Sequence, residues 1–259
     1  MILKYNYNSI LLSSEDEQEI TFLKNSKLHT KLAYNINQTN IGHNIYTSKK
    51  NFIINNNFSH IPICNKDELG YCLRMIIDNY LVNQYNTLPL HVGLCKYRNI
   101  LIFLFANSNG GKSSILNELS KKKSTIKIIG DDHIIFSKKA IFGNNIMRLR
   151  SKKGDKLISH RKNIIKNIKK YKLINIDLNN KNFKKLETNN DFYKKTHYSA
   201  LKYINNTFTL NNKYISLNKN TKSKYKRRFV QFIKNSNKIL SIFGKKDFII
   251  SNILKELKI

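Results

Sequence analysis

The stretch Ala106-Asn107-Ser108-Asn109-Gly110-Gly111-Lys112-Ser113 decides the fold prediction for this chain. The apolar run ILIFLF at residues 100–105 precedes it and predicts a buried strand, and apolar residues at helical spacing follow it. A strand, a glycine-bearing loop and a helix that begins with Lys-Ser are the order of a phosphate-binding loop. The glycines let backbone N–H groups turn inward around an anion, and the positive end of the helix dipole adds to the attraction.

The loop therefore predicts a nucleotide site. Lys112 is predicted to neutralise the β- and γ-phosphates, and Ser113 to offer its hydroxyl to Mg²⁺. The alternative is an ordinary turn with the same letters, which the flanking strand and helix disfavour. The predicted nucleotide-binding residues are Ala106, Asn107, Ser108, Asn109, Gly110, Gly111, Lys112, Ser113 and Ser114.

An acidic pair follows the next β-branched segment of the chain. Asp131 and Asp132 end a predicted strand, residues 125–129, that could lie beside the strand before the loop. One carboxylate is predicted to hold Mg²⁺ (Asp131, together with Ser113), and the other to accept a proton from an attacking hydroxyl (Asp132). The alternative is a solvated acidic turn, which we disfavour because the pair follows a phosphate-binding loop in a chain with few acidic residues.

His91 is the one histidine that we single out. A lone histidine in an apolar segment is more often a core residue than a catalytic group. His91 lies before the hairpin that leads into the loop, and this position makes it a candidate for the site.

Composition narrows the class of protein. The chain has 259 residues, 41% of them hydrophobic, which is enough for a real core. No apolar run is long enough to cross a bilayer, and no secretory signal is recognised. Cys64, Cys72 and Cys95 lack metal-like spacing, so we expect reduced thiols and a cytoplasmic protein. No metal other than Mg²⁺ is predicted.

The formal net charge of +31 would attract nucleic acid, anionic lipid or a polyanionic substrate. The lysines are spread over the whole chain, together with many Asn and Ile residues. All of these have A/T-rich codons, so we favour genome composition as the source of the charge over a dedicated nucleic-acid surface.

The chain is predicted to be mixed α/β, with a mostly β portion over residues 1–66 and a nucleotide-binding domain over residues 67–259. An amphipathic helix is predicted over 67–85, a strand over 88–94, and a hairpin turn at 96–99. Strands are predicted at 134–136, 139–142 and 146–150, and a terminal helix capped by Asp247 is expected to dock on the core. Residues 151–230 are basic and weakly patterned, and no element is predicted there.

Taken together, the segment from Asp67 to Arg150 resembles the HPr kinase/phosphorylase family of P-loop kinases, which have a phosphoenolpyruvate-carboxykinase-like fold. The order of His91, the loop, Ile128-Ile129-Gly130-Asp131-Asp132, Gly143 and Arg148-Leu149-Arg150 is similar to that of the family. The resemblance implies nucleotide binding at the loop and phosphoryl-transfer roles for His91, Asp131 and Asp132. Ala106 and Asn109 stand where the family has glycines, and beyond Arg150 no counterpart of its phosphorylase segment is found.

These observations predict a kinase that uses ATP and Mg²⁺ and phosphorylates a hydroxyl of a protein, a peptide serine or a small metabolite. Lys112 would neutralise phosphate charge, Asp132 would be the base, and Arg148 or Arg150 could steady the transferred group. Two alternatives stay open: a nucleic-acid-associated NTPase or nucleic-acid kinase, with contacts from basic stretches such as residues 222–228, and a non-catalytic nucleotide-binding module. The acceptor and the oligomeric state are not predicted.

Overall fold

The computed structural model describes residues 2–5, 8–14, 35–36, 43–48, 51–54, 61–62, 82, 87–107, 109–137, 140–143, 146–149, 156–159, 164–166, 168, 170–178, 181–201, 208–210, 213–215 and 219–259. Before residue 82 it describes the backbone alone. The predicted helix over 67–85 lies outside the described residues, apart from the helical Val82.

Short strands make up the described part of the N-terminal portion. They are β1 (Ile2–Tyr5), β2 (Asn8–Ser14), β3 (Asn35–Ile36), β4 (His43–Ser48), β5 (Asn51–Ile54) and β6 (Ile61–Pro62). They form one sheet in the order β3-β1-β2-β4-β5-β6, in which β2 and β4 are parallel and the other pairs antiparallel. These described residues are strands, while the mostly β character of residues 1–66 and the boundary at residue 66 stay predictions.

The rest of the described chain is mixed α/β, as predicted. Its strands are β7 (Leu88–Leu90), β8 (Gly93–Tyr97), β9 (Ile100–Phe105), β10 (Lys127–Gly130), β11 (Ile134–Phe136), β12 (Ala140–Gly143), β13 (Ile146–Leu149), β14 (Lys156–Ser159), β15 (Ile164–Lys166), β16 (Tyr171–Asp177), β17 (Phe183–Leu186), β18 (Phe208–Leu210), β19 (Lys213–Ile215) and β20 (Lys238–Phe243). Its described helices are α1 (Lys112–Lys122), α2 (Asn189–Ala200), α3 (Lys219–Lys234) and α4 (Lys246–Leu257).

A six-stranded sheet carries the loop that opened the sequence analysis. Its strand order is β10-β8-β9-β16-β20-β17, and β9, β16 and β20 are parallel. Because β8 is antiparallel to both β9 and β10, β10 runs in the same direction as β9. The strands β9, β10, β16 and β20 therefore all end at one edge of the sheet, which we call the carboxyl edge.

Two sequence predictions about these strands are wrong in detail. The single strand predicted over 88–94 is split at His91-Val92, because β7 pairs with β11 in a four-stranded sheet of order β15-β12-β11-β7, while β8 pairs with β9. The strand before the acidic pair does not lie beside β9, because β8 lies between them. The predicted hairpin is confirmed, with Arg98 and Asn99 in the turn between β8 and β9.

Helices cover both faces of the six-stranded sheet. The strands alternate their side chains, so Ile102 and Leu104 of β9 join the core cluster that includes α1 and α4 residues. Phe103 and Phe105 point to the opposite face, where the Phe105 ring lies 5.0 Å from that of Phe192 in α2 and 6.2 Å from that of Phe229 in α3. The loop at the end of β9 therefore starts from a strand that is buried on both faces.

The terminal helix docks on the core as predicted, with Ile249, Ile250 and Ile253 buried. The predicted cap is wrong: α4 begins at Lys246, Lys245 holds the cap position without a side-chain hydrogen bond, and Asp247 lies in the first turn. There its carboxylate contacts Lys122 of α1 at 3.3 Å.

Among the described residues, no helix is long and apolar enough to span a membrane.

Candidate functional site

The loop between β9 and α1 is a tight turn that leads directly into the helix. The Gly110 N–H donates to the Asn107 carbonyl at 2.9 Å, and the first helical bond runs from the Ile115 N–H to the Gly111 carbonyl at 2.9 Å. The helix begins at Lys112 with no side-chain cap from the described residues and no acidic residue in its first turn. Ser108 lies outside the described residues, and Ser114 is half-buried in the first turn.

The two departures from a glycine-rich pattern fit this backbone. Asn109 has a φ of 66°, in the left-handed region that asparagine tolerates better than most residues, and so takes the conformation that a glycine would take. Ala106 is buried, and a Cβ at Gly110 would lie 2.8 Å from the Ala106 Cβ. With an alanine at position 106, the first residue of the loop, only a glycine fits at position 110.

The topology explains why distant residues meet here. Asp131 and Asp132 directly follow the end of β10, and the loop directly follows the end of β9, so both lie at the carboxyl edge. The antiparallel β8 starts at the same edge, which brings His91, two residues before Gly93, to the same place. Ligand sites of open α/β sheets lie at this edge.

Asp132 is the residue on which the predicted catalytic groups converge. Its Oδ1 lies 3.8 Å from the Lys112 Nζ and 3.7 Å from the His91 Nε2. The His91 Nδ1 also lies 3.0 Å from the Asp132 carbonyl oxygen. Because a carbonyl can only accept, this contact assigns the proton of the neutral imidazole to Nδ1 and turns Nε2 toward the carboxylate. His91, Lys112 and Asp132 therefore lie together, and their role as a catalytic site stays a prediction.

A strained turn aims the Asp132 side chain. Its φ is 64°, and the His133 N–H donates across it to the Asp131 carbonyl at 2.8 Å, the pattern of a γ-turn. The turn separates the environments of the two aspartates: Asp131 is fully buried, whereas 30% of the Asp132 side chain is exposed. Only Asp132 is therefore directly accessible from solvent.

Burial raises the pKa of Asp131 to about 7, and the neighbouring charge of Asp132 acts in the same direction. A hydrogen bond from the Ser113 hydroxyl, the charge of Lys112 and the Asp132 backbone N–H oppose this rise. The predicted pair of Asp131 and Ser113 is thus in contact, with the carboxyl held next to the hydroxyl at the first turn of α1.

The oxygen donors at this place fit Mg²⁺ but do not form a closed cage. No group of three or more His, Cys, Asp or Glu side chains that could hold a metal occurs among the described residues. Mg²⁺ is usually held by one or two carboxylates together with substrate phosphates and water, so Asp131 and Ser113 supply a fitting protein side.

Three further contacts at the site were not expected from the sequence. The His91 N–H donates to the Ala200 carbonyl at the end of α2 at 2.8 Å, which fixes the backbone of His91. Leu178, which follows β16, packs over the loop so closely that a Cβ at Gly111 would lie 2.2 Å from its Cδ1. A Cβ at Gly93 would lie 2.7 Å from the Leu116 Cδ1 and 3.7 Å from the Asp131 Oδ1, so Gly93 lets α1 approach β8 beside Asp131.

The predicted arginine contribution stays a prediction. Arg150 and the side chain of Arg148 lie outside the described residues.

No protein-family model matches the chain, and no curated protein shows significant similarity to it.

Proposed function

We propose that this protein is a kinase of the HPr-kinase-like type that uses ATP and Mg²⁺ and transfers the γ-phosphoryl group to a hydroxyl of a protein, a peptide serine or a small metabolite. One observation carries the proposal: Lys112 and His91 both lie within 4 Å of the same Asp132 oxygen, at the mouth of a glycine-bearing loop. A phosphoenolpyruvate-carboxykinase-like core is part of the same proposal.

The phosphate side rests on the loop and on Lys112. Backbone N–H groups at the start of α1 have no side-chain cap from the described residues, and such a helix start favours an anion. The Lys112 side chain is 7% exposed and its ammonium is directed toward the acidic pair, so it adds a point charge where the terminal phosphates would lie. The attraction between this ammonium and a phosphate is stronger in the buried site than it would be in water.

Asp131 and Ser113 would hold the Mg²⁺ ion, which when bound neutralises phosphate charge. The pKa of about 7 at Asp131 reflects burial next to another carboxylate, a cost that a nearby cation would relieve.

Asp132 is the proposed base. Its partly exposed carboxylate takes the proton of the acceptor hydroxyl, the oxygen attacks the γ-phosphorus, and the bond to the bridging oxygen breaks so that ADP leaves with the electron pair. His91 faces the same carboxylate through Nε2 and can accept the proton from it. Both residues act from fixed backbones, the γ-turn at Asp132 and the Ala200 contact at His91.

The test uses Lys112→Ala, with Lys121→Ala as the matched control at the exposed far end of the same helix. We expect the wild-type protein to bind a fluorescent ATP analogue and to turn over ATP only with Mg²⁺, tested with a serine peptide, a polyol mixture and water as acceptors. Lys112→Ala should lose at least about 100-fold in turnover while its circular dichroism spectrum stays unchanged. Full activity in Lys112→Ala would disprove the proposal, and ATP binding without turnover on any acceptor would favour a non-catalytic module.

A further inference from the structure

Helices α2 and α3 lie side by side on one face of the six-stranded sheet. The ring of Tyr193 in α2 is 5.9 Å from that of Phe229 in α3, and Phe105 of β9 contacts rings from both helices. Their outward faces therefore form one continuous surface.

The outward face of α3 is cationic. Seven of its sixteen residues are Lys or Arg and none is acidic. Its apolar residues are buried, among them Tyr225, Phe229 and Phe232, while Lys224, Lys226 and Arg227 are exposed. These three charges therefore point outward, whereas the half-buried Arg228 donates to the Val82 and Thr87 carbonyls.

A line of aromatic rings runs along α2, starting where Lys226 of the cationic helix contacts it. The Lys226 Nζ lies 6.0 Å from the Tyr193 ring, which stacks on the His197 ring at 4.9 Å and 9°. The His197 ring lies 6.0 Å from that of Tyr198, whose side chain is 66% exposed. We call these four residues, Tyr193, His197, Tyr198 and Lys226, the aromatic–lysine strip.

Two more lysines flank the strip. Lys194 lies four residues before Tyr198, and Lys222 lies four residues before Lys226, so each shares a helix face with its partner. The exposed Tyr198 thus lies on a surface that also carries lysines from both helices, at a position where no core packing requires it.

Charges on the opposite side of the sheet are arranged differently. Glu118 of α1 contacts both Lys121 and Lys246, and Asp247 of α4 contacts Lys122. Genome composition can account for many lysines in the chain and for the few acidic residues near them, but it does not account for the exposed aromatic line that lies next to α3.

We propose that the aromatic–lysine strip binds single-stranded nucleic acid. Lysines would contact the phosphates, and Tyr198 would stack on an unpaired base, the combination that single-strand binding surfaces use. An acidic protein would match the charge but would give no use to an exposed ring in the middle of it. The proposal does not rest on phosphoryl transfer, although α2 ends at Ala200, which contacts His91, so a bound strand would lie near the proposed site.

The test measures fluorescence anisotropy of labelled 20-nucleotide oligo-dT and oligo-U with the full chain and no ATP. Tyr198→Ala should weaken binding about tenfold, and Tyr198→Phe should bind like the wild type because the ring is retained. Lys226→Ala and Lys222→Ala should each lower the slope of log affinity against log salt by about 0.7. Lys255→Ala and Lys258→Ala, exposed positions at the end of α4, are the matched controls.

Equal weakening by the control and the strip variants would overturn the proposal in favour of diffuse charge. Poly-glutamate that binds as tightly as oligo-dT and responds to the same variants would overturn it in favour of an acidic protein partner. The assay contains no ATP and measures no turnover, so failure of the kinase proposal and failure of this one are separable.

Discussion

Lys112 and Asp132, twenty positions apart in the chain, form an ion pair at 3.8 Å across the mouth of the loop. The lysine that is proposed to meet phosphate is thus paired with the carboxylate that is proposed to act as base, and the pair orients both side chains.

The first prediction separates these two roles. Asp132→Asn should lower turnover about 100-fold or more, since a positioned base contributes on that order. ATP affinity should be retained or increased, because Lys112 loses a competing partner. Steady-state kinetics and titration with an ATP analogue measure the two quantities. Asp247→Asn, the same charge change at a side chain that is 89% exposed in the first turn of α4, should alter neither; loss of ATP binding in Asp132→Asn would contradict the assignment.

The second prediction compares two glycines. A Cβ at Gly143 would lie 2.0 Å from the Ile129 carbonyl oxygen, which is backbone and cannot move away cheaply, so Gly143→Ala should cost about 3 kcal/mol or more of unfolding free energy. Gly111→Ala meets the flexible side chain of Leu178 and has a φ of 88°, so it should cost about 1–2 kcal/mol.

Urea denaturation of both variants tests this order. Leu178→Ala removes the clash, so in that background Gly111→Ala costs only the strain of the backbone conformation. Adding Gly111→Ala to Leu178→Ala should therefore lower the free energy of unfolding by less than adding it to the wild type does. A Gly143→Ala protein as stable as Gly111→Ala would contradict the close approach of β12 to the end of β10.

Local signals were sufficient to predict the strand, loop and helix around Gly110, because each element depends on its own residues. The position of β8 between β9 and β10 was not predictable in this way, since it depends on pairing between segments about 30 residues apart. The contact of His91 with Ala200 spans a still longer separation.

Helix α3 was missed for a different reason. Tyr225, Phe229, Phe232 and Ile233 recur at helical spacing and are all buried. The lysines between them make the segment uniformly basic, so the helical spacing of these apolar residues was not recognised. A count of aromatic positions at spacings of three and four, with charge disregarded, would have found it.

The third prediction concerns the buried thiol. Burial raises the pKa of Cys95 to about 12, and its side chain is inaccessible in the core. In a Cys64→Ser/Cys72→Ser background, Cys95 should react with a disulfide reagent at pH 8 at least about 100-fold more slowly than in urea, because the reactive thiolate forms only on unfolding. The absorbance of the released thiol measures the rate. Fast reaction in the folded protein would place Cys95 outside the core.

The last prediction concerns the opposite edge of the sheet. The Glu256 carboxylate in α4 accepts hydrogen bonds from Lys172, Lys184 and Lys238 at 2.8–3.2 Å. Burial by itself would raise the pKa of Glu256, but the three lysines outweigh it and lower the pKa from 4.5 to about 2. A carboxyl whose pKa is lower in the folded than in the unfolded state stabilises the fold at pH values above the pKa of the unfolded state. This stability is lost as pH falls from about 4.5 toward 2.

Glu256→Gln should therefore cost on the order of 2 kcal/mol of unfolding free energy at pH 7, since it leaves three ammonium groups around a neutral amide. Urea denaturation at pH 7, 5, 4 and 3 should show the gap between variant and wild type shrinking below pH 4.5. Glu118→Gln removes a carboxylate whose lysine partners are more exposed and should have a much smaller effect. A gap that is constant down to pH 3 would mean that Glu256 stabilises the fold through packing instead of charge.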